Sequence, residues 1–200
     1  MLRRALLIFT AAAICSTPVW AQETRRVRAT IEKVEGSMLS VKTRDGEDLK
    51  ITLADKPVFM AIIPATLADL KPGTFVGSGA TPGPDGSLVA MEVHIFPEAM
   101  RGTGEGHRPM EGPNQATMTN ANVDTSVTAV DGQMLTLKFK DGEKKLLVTP
   151  KTAIVAYTPG DRAELKPGIK LFIAATQKQA DGSLVAARIS YGRDGLTPPM

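Results

Sequence analysis

Apolar and polar residues alternate over short runs through most of this chain. Val27, Ala29 and Ile31 alternate with polar residues, and a similar run follows the dipeptide Asp45-Gly46. Alternation with a period of two is typical of a strand with one buried face, and Asp-Gly favours a tight hairpin turn. The pattern predicts an all-β protein built from short strands.

The strand pattern occurs twice. The letters "DGSLVA" stand at 85–90 and at 181–186, "LKPG" stands at 70–73 and at 165–168, and Gly36 aligns with Gly132. These matches, at offsets of 95 and 96, indicate an internal duplication with copies at 25–96 and 119–192. Each copy reads as about six short strands separated by turn residues, with one helical turn over Ala65 to Leu70. The expected architecture is two tandem six-stranded barrels, OB-like in form.

The segment 97–118, called here the linker, separates the two copies, and 193–200 is a short tail. The linker contains four Gly and three Pro. Such a composition predicts a long linker or an ordered loop without regular strand or helix.

The last strand of each copy has an apolar face that is expected to point inward. Aligning the copies places Val89, Met91, Val93 and Ile95 beside Val185, Ala187, Ile189 and Tyr191, all of them apolar. Because side chains alternate along a strand, this set is the predicted inward face. His94 then lies on the outward face, aligned with Ser190, and is expected at the surface where the linker packs.

The N-terminus resembles a secretory signal. Arg3 and Arg4 precede a short apolar run, and small residues lead to Ala21, where we expect cleavage. A twin-arginine signal and a lipid anchor at Cys15 are less favoured alternatives. Export to the periplasm or out of the cell is therefore expected, with no membrane span after processing.

Removing 1–21 changes the composition in two ways. Without Arg3 and Arg4, 22 basic residues face 21 acidic ones, and without Cys15 no cysteine remains. Near-neutral charge and aromatic residues at core-like strand positions argue against nucleic acid as a partner. The absence of cysteine excludes disulfides, thiol catalysis and thiolate metal sites within the processed chain.

The succession V-x-G-x-x-L-x-V, D-G, L-K-P-G and D-G-S-L-x-A resembles the exported bacterial family known as domain of unknown function 5666. Here the pattern occurs in tandem across nearly all of the chain after residue 21. The resemblance implies a β-barrel, but no established activity and no catalytic residues. Proteins of this kind often carry the name metal ABC transporter permease, although a permease needs several apolar spans that this sequence lacks.

A metal site is one hypothesis. The chain has two histidines, and four of the eight methionines after residue 1 lie between 91 and 118, where Glu92, Glu98, Glu105 and Glu111 add carboxylates. Imidazole and thioether groups suit copper, and zinc is a less favoured alternative. The candidate ligands are His94, His107, Met100 and Met110. No other cofactor is expected.

The leading interpretation is a non-enzymatic exported binding or structural module. The sequence has no G-x-S-x-G, H-E-x-x-H or P-loop motif, so no catalytic residue is assigned. An unknown protein or envelope component is the expected partner, and the docking residues suggested are His94, Arg101, His107 and Arg108.

Overall fold

The computed structural model describes residues 24–179 and 181–199, which form twelve β-strands joined by turns and short 3-10 segments. The predicted signal segment, with Cys15 and the cleavage point, lies outside the described residues. The strands are β1 (Thr24–Glu35), β2 (Met38–Thr43), β3 (Asp48–Pro64), β4 (Phe75–Pro82), β5 (Leu88–Ile95), β6 (Gly106–Pro109), β7 (Thr117–Ala129), β8 (Gly132–Phe139), β9 (Gly142–Val148), β10 (Ala153–Pro159), β11 (Lys170–Lys178) and β12 (Leu184–Gly192).

The prediction of an all-β fold is confirmed. The predicted helical turn is a 3-10 segment at Leu67–Asp69, and its counterpart in the second copy is Arg162–Glu164. Within the described part of the chain, no helix has the length and apolar character needed to cross a membrane.

Five strands close into a first ring. Antiparallel pairing runs from β12 through β11, β1 and β2 to β3, and β12 then pairs in parallel with β3. The interior holds one apolar cluster that includes Ile31, Leu39, Ile51, Ile173 and Tyr191. Closure leaves these five strands without an open sheet edge, which is the property that defines a small β-barrel.

A second ring has the same layout. Here β5, β4, β7, β8 and β9 pair antiparallel in succession, and a short parallel pairing of β5 with β9 closes the circle. Its own apolar cluster includes Val76, Val93, Val123, Leu135 and Leu146.

The two rings exchange strands between the copies of the repeat. The first ring combines β1, β2 and β3 of the first copy with β11 and β12 of the second, and the second ring combines β7, β8 and β9 with β4 and β5. Two tandem barrels, one per copy, are therefore not confirmed. Each ring also has five strands rather than the six expected.

The exchange follows from the length of β3, which runs for 17 residues through Pro57 without a turn. An extended chain advances about 3.3 Å per residue, so β3 runs well past Thr52, its last residue paired with β2, and reaches β10 before β4 begins. In the second copy the same stretch is divided into β9 and β10. The N–H of Thr152 donates to the carbonyl of Thr149 across Pro150, which makes a tight turn there.

The rings are joined at their centre by β10. It pairs antiparallel with the end of β3 from Met60 to Pro64, and in parallel with β5 from Glu92 to Ile95. A continuous sheet in the order β12, β3, β10 and β5 thus passes from one ring into the other.

The linker is ordered and contains regular structure. Glu98–Met100 forms a 3-10 turn, and β6 at Gly106–Pro109 pairs antiparallel with β7. The expectation that 97–118 holds no regular strand is wrong. Gly106 has a positive φ of 126°, so glycine allows the bend that enters β6 despite the Gly/Pro-rich composition.

Engineered disulfides test the strand exchange. Thr30 and Lys170 are paired neighbours on β1 and β11. Because paired residues on antiparallel strands have Cα atoms about 4.5–5.5 Å apart, the Thr30→Cys/Lys170→Cys protein should oxidise to an intramolecular disulfide. Peptide mapping by mass spectrometry detects the link.

The matched control is Thr30→Cys/Phe75→Cys, because Phe75 aligns with Lys170 and a barrel made from the first copy alone would pair it with Thr30. Cross-linking of this control, with none between positions 30 and 170, would contradict the exchange.

Candidate functional site

A cleft of about 560 Å³ lies between the two rings, and it is called here the central cleft. Its walls are the outer faces of β1, β11 and β12 on one side and of β5 and β7 on the other. Tyr157 of β10 and linker residues complete the lining. The cleft therefore exists only because both rings are present.

The wall on the second ring carries a buried acid and a buried imidazole. The Glu92 and His94 side chains are 9% and 2% exposed, and Glu92 Oε1 lies 3.4 Å from His94 Nε2. Among the described residues, neither atom has a hydrogen-bond partner. Nearly all buried polar atoms in proteins are paired, so two adjacent exceptions that line a cleft require an explanation.

A β-bulge aims these side chains at the cleft. The pairing of β4 with β5 shifts between Gly79 and Ala80, which leaves Met91 as an extra residue. Leu88 and Ala90 therefore point into the ring before the bulge, and Val93 does so after it. The predicted inward positions of Val89 and Met91 are wrong, because the bulge changes the parity.

The last strand of the second copy is also irregular at this position. The register of β12 against β3 shifts between Ala186 and Arg188, so Ala186 and Ile189 point into the first ring. Val185 and Ala187 line the central cleft instead. His94 is outside its ring, as expected from its alignment with Ser190. It is buried rather than at the surface, because the other ring and the linker cover it.

Two glycines of β4 make room for the polar side chains. A Cβ atom at Gly77 would lie 2.9 Å from Asn120 Oδ1, and one at Gly79 would lie 3.0 Å from Glu92 Oε1. The amide of Asn120 donates to the carbonyl of Thr103 in the linker over 2.8 Å, whereas its Oδ1 has no partner among the described residues. The side chains of Glu92 and Asn120 thus occupy the space that side chains at Gly79 and Gly77 would otherwise fill.

The facing wall, on the first ring, is basic and aromatic. Arg28, Phe172 and Ser190 are paired across β1, β11 and β12, with the Arg28 guanidinium 5.5 Å from the centre of the Phe172 ring. Burial lowers the pKa of Arg28, and the charges of Arg26 and Arg44 act in the same direction. Arginine nevertheless stays protonated, so this wall presents a fixed positive charge.

Tyr157 of β10 connects the two walls. Its ring stacks on Phe96 at 5.3 Å and meets His94 edge-on at 6.1 Å, and its hydroxyl bonds to Ser190. Burial raises the pKa of Tyr157, and the nearby charge of Glu92 raises it further. The hydroxyl therefore stays protonated and remains a hydrogen-bond donor.

The linker forms the remaining side of the cleft. Met100 and Met110, both proposed as metal ligands, line it together with Arg108, whose Nη1 donates to the carbonyl of Gly104 at 2.8 Å. Arg101 is not among the lining residues. It bonds instead to Glu98, the Gly73 carbonyl and Asn122, and so fastens the linker to the second ring.

The two histidines do not meet. His94, Gly77, Asn120 and Gly106 form one cross-strand row, and His107 is the next residue along β6. Side chains alternate between faces, so His107 points away from the cleft, where its Nδ1 lies 2.8 Å from Thr119 Oγ1. Within 24–179 and 181–199, no group of three or more His, Cys, Asp or Glu side chains is placed to hold a metal ion.

The charge of the cleft is unequal. Among the described residues, four arginines and one carboxylate, Glu92, line it; the arginines are Arg26, Arg28, Arg108 and Arg188. Sequence reasoning singled out only Arg108 among these arginines and named Glu92 merely as one of several carboxylates. A usable signal was present, since Glu92 aligns with Arg188 and Gly77 with Phe172. These are differences between two otherwise similar copies.

Comparisons with known proteins found nothing similar: no family model, no curated protein and no solved structure matches this chain.

His107 predicts a pH-dependent stability. Burial, followed by the charge of Lys144, lowers the pKa of His107 below its ordinary value of 6.5. As the pH falls below about 6.5, the unfolded chain binds a proton at this ring before the folded chain does, so the free energy of unfolding decreases. In the His107→Gln protein, the decrease in the free energy of unfolding that is caused by protonation of this ring should be absent.

Urea unfolding at pH 7.5 and pH 5 of the parent and the His107→Gln protein measures the difference. All other titrating groups are common to both proteins, so equal losses in the two would contradict the prediction.

Proposed function

We propose that this protein is an exported, non-enzymatic binding module whose binding site is the central cleft. The observation that supports it is the pair of unpartnered atoms, Glu92 Oε1 and His94 Nε2, in a cleft of about 560 Å³. Sites for small molecules are concave and mostly apolar, with a few converging polar groups, and about 300–1,000 Å³ is their usual size. Export rests on the sequence of the N-terminal segment.

A small molecule suits this site better than a docked protein. His94, suggested at first as a docking residue, has a side chain that is only 2% exposed. A folded partner cannot reach such a side chain without displacing the linker, whereas a small ligand needs only to enter the cleft.

Binding is favoured over catalysis for a chemical reason. Four arginines and one glutamate line the cleft in the described part of the chain. Arginine does not lose its proton at physiological pH, so it holds and orients anions rather than transferring protons. The sequence also lacks the catalytic motifs considered above.

A metal-binding function is the second candidate, with copper preferred and zinc less favoured. It is supported by the unpartnered Nε2 of His94 in the same cleft as Met100 and Met110. Imidazole and thioether groups would supply soft ligands to copper. Two features weigh against it: four arginines repel a cation, and His107 faces away.

Filling the cleft tests the main proposal. Ala187 is exposed and lines the cleft, so Ala187→Trp should occupy part of it while leaving the ring interior intact. Ligand-observed NMR with a fragment set of acids, neutral compounds and amines should detect binders. We expect their affinity to fall about tenfold or more in Ala187→Trp.

The matched control is Val130→Trp, at the fully exposed turn between β7 and β8. It adds the same side chain away from the cleft and should bind as the parent does. The proposal would be contradicted if every fragment bound both variants equally, or if no fragment lost affinity in Ala187→Trp.

Titration with Cu(I), Cu(II) and Zn(II) tests the second candidate. Because only His94 faces the methionines, the metal hypothesis predicts about micromolar Cu(I) binding that His94→Ala removes and His107→Ala leaves unchanged. Absence of such binding, or equal sensitivity to both substitutions, contradicts a metal site in the cleft.

A further inference from the structure

We infer that the ligand of the central cleft is a small organic acid that combines an anionic group, an apolar or aromatic body and an uncharged hydrogen-bond donor. The inference rests on the proposed binding function and specifies the ligand's chemistry. It follows from three features that lie on different walls of the cleft.

The anionic group is indicated by the charges. Four arginines and one glutamate line the cleft, so its interior favours a negative ligand. The hydrogen bond of Arg108 to the Gly104 carbonyl and that of Arg26 to Glu111 each involve one nitrogen of a guanidinium. Since a guanidinium has five N–H donors in a fixed fork, these side chains can also bind a carboxylate.

The apolar body is indicated by the aromatic residues. Phe172 stands on one wall, and the stacked pair of Phe96 and Tyr157 stands across from it. Met100 and Met110 close the side toward the linker, and flexible thioether side chains adapt to the outline of a ligand. An inorganic anion would leave all of this apolar surface unused.

The donor is indicated by Glu92. A carboxylate oxygen accepts hydrogen bonds, and the buried Oε1 of Glu92 has no hydrogen-bond partner among the described residues. An ammonium group would be repelled by the four arginines. A hydroxyl or amide N–H of the ligand meets the need without added charge, and His94 Nε2 lies 3.4 Å away to share it.

A matched set of probes separates these features. The parent probe is 4-hydroxyphenylacetate, which has all three. Its amide lacks the charge, phenylacetate lacks the donor, tyramine reverses the charge, and inorganic phosphate lacks the body. We expect the parent probe to bind with a dissociation constant at or below about 1 mM, and each of the others to bind about tenfold more weakly.

Substitutions in the cleft test which residues contact the anionic group and the donor of the probe. Arg108→Gln/Arg188→Gln should weaken the parent probe about tenfold and reduce its salt dependence, with Arg162→Gln, outside the cleft, as the control. Glu92→Met should weaken 4-hydroxyphenylacetate relative to phenylacetate, because methionine removes the acceptor oxygens and only 4-hydroxyphenylacetate supplies a donor. Calorimetry or ligand-observed NMR measures these constants, and circular dichroism verifies folding.

The outcomes distinguish the inference from the proposed function. If the acid and its amide bind equally, or no probe binds at about 10 mM, the inference is overturned, while fragments lost in Ala187→Trp would still support a binding cleft. Phosphate binding as tightly as the parent probe also overturns it. If Ala187→Trp binds every fragment and probe as the parent protein does, the proposed function itself fails.

Discussion

The pairing of each copy's last strand with the third strand of the other copy is the constraint on which the rest of this structure depends. The parallel contacts of β12 with β3 and of β5 with β9 close the two rings. Closure satisfies the backbone hydrogen bonds that open sheet edges would leave unpaired. Because the copies exchange strands to achieve it, the rings are held side by side. The outer faces of β5 and β12 then line one shared cleft.

Matching stretches of the sequence form two similar walls, and the residues that differ between them make the walls complementary. Bulges at equivalent places turn Glu92 and Arg188 toward the cleft from opposite copies. Gly77 leaves open on one wall the position that Phe172 fills on the other. The wall on the second ring therefore offers the acceptor oxygens of Glu92 beside glycines that carry no side chain. The wall on the first ring presents the Arg28 cation next to the Phe172 ring. A symmetric pair of walls would repeat one chemistry instead of combining two.

Burial of Glu92 Oε1 and His94 Nε2 without hydrogen-bond partners among the described residues costs stability, since an unsatisfied buried polar group is destabilising by about 1–3 kcal/mol. The fold contains simple remedies, because an apolar side chain at either position would remove the cost. The presence of Glu92 and His94 in a cleft is the pattern expected where a bound ligand supplies their missing hydrogen bonds. The positive charge of the arginines on the facing wall favours an anion over a metal ion at this position.

The sequence by itself determined the all-β class, the recurrence of matching strand and turn motifs, and the outward direction of His94. These follow from local alternation, turn residues and the alignment of the copies. Strand partners, the bulges and the order of the linker depend on contacts between residues far apart in sequence. Alternation cannot reveal a bulge, since one extra residue reverses the parity. Only the tertiary structure decided that Arg28 and Glu92 line one cleft, because strand exchange brings together walls from two rings that local patterns cannot place.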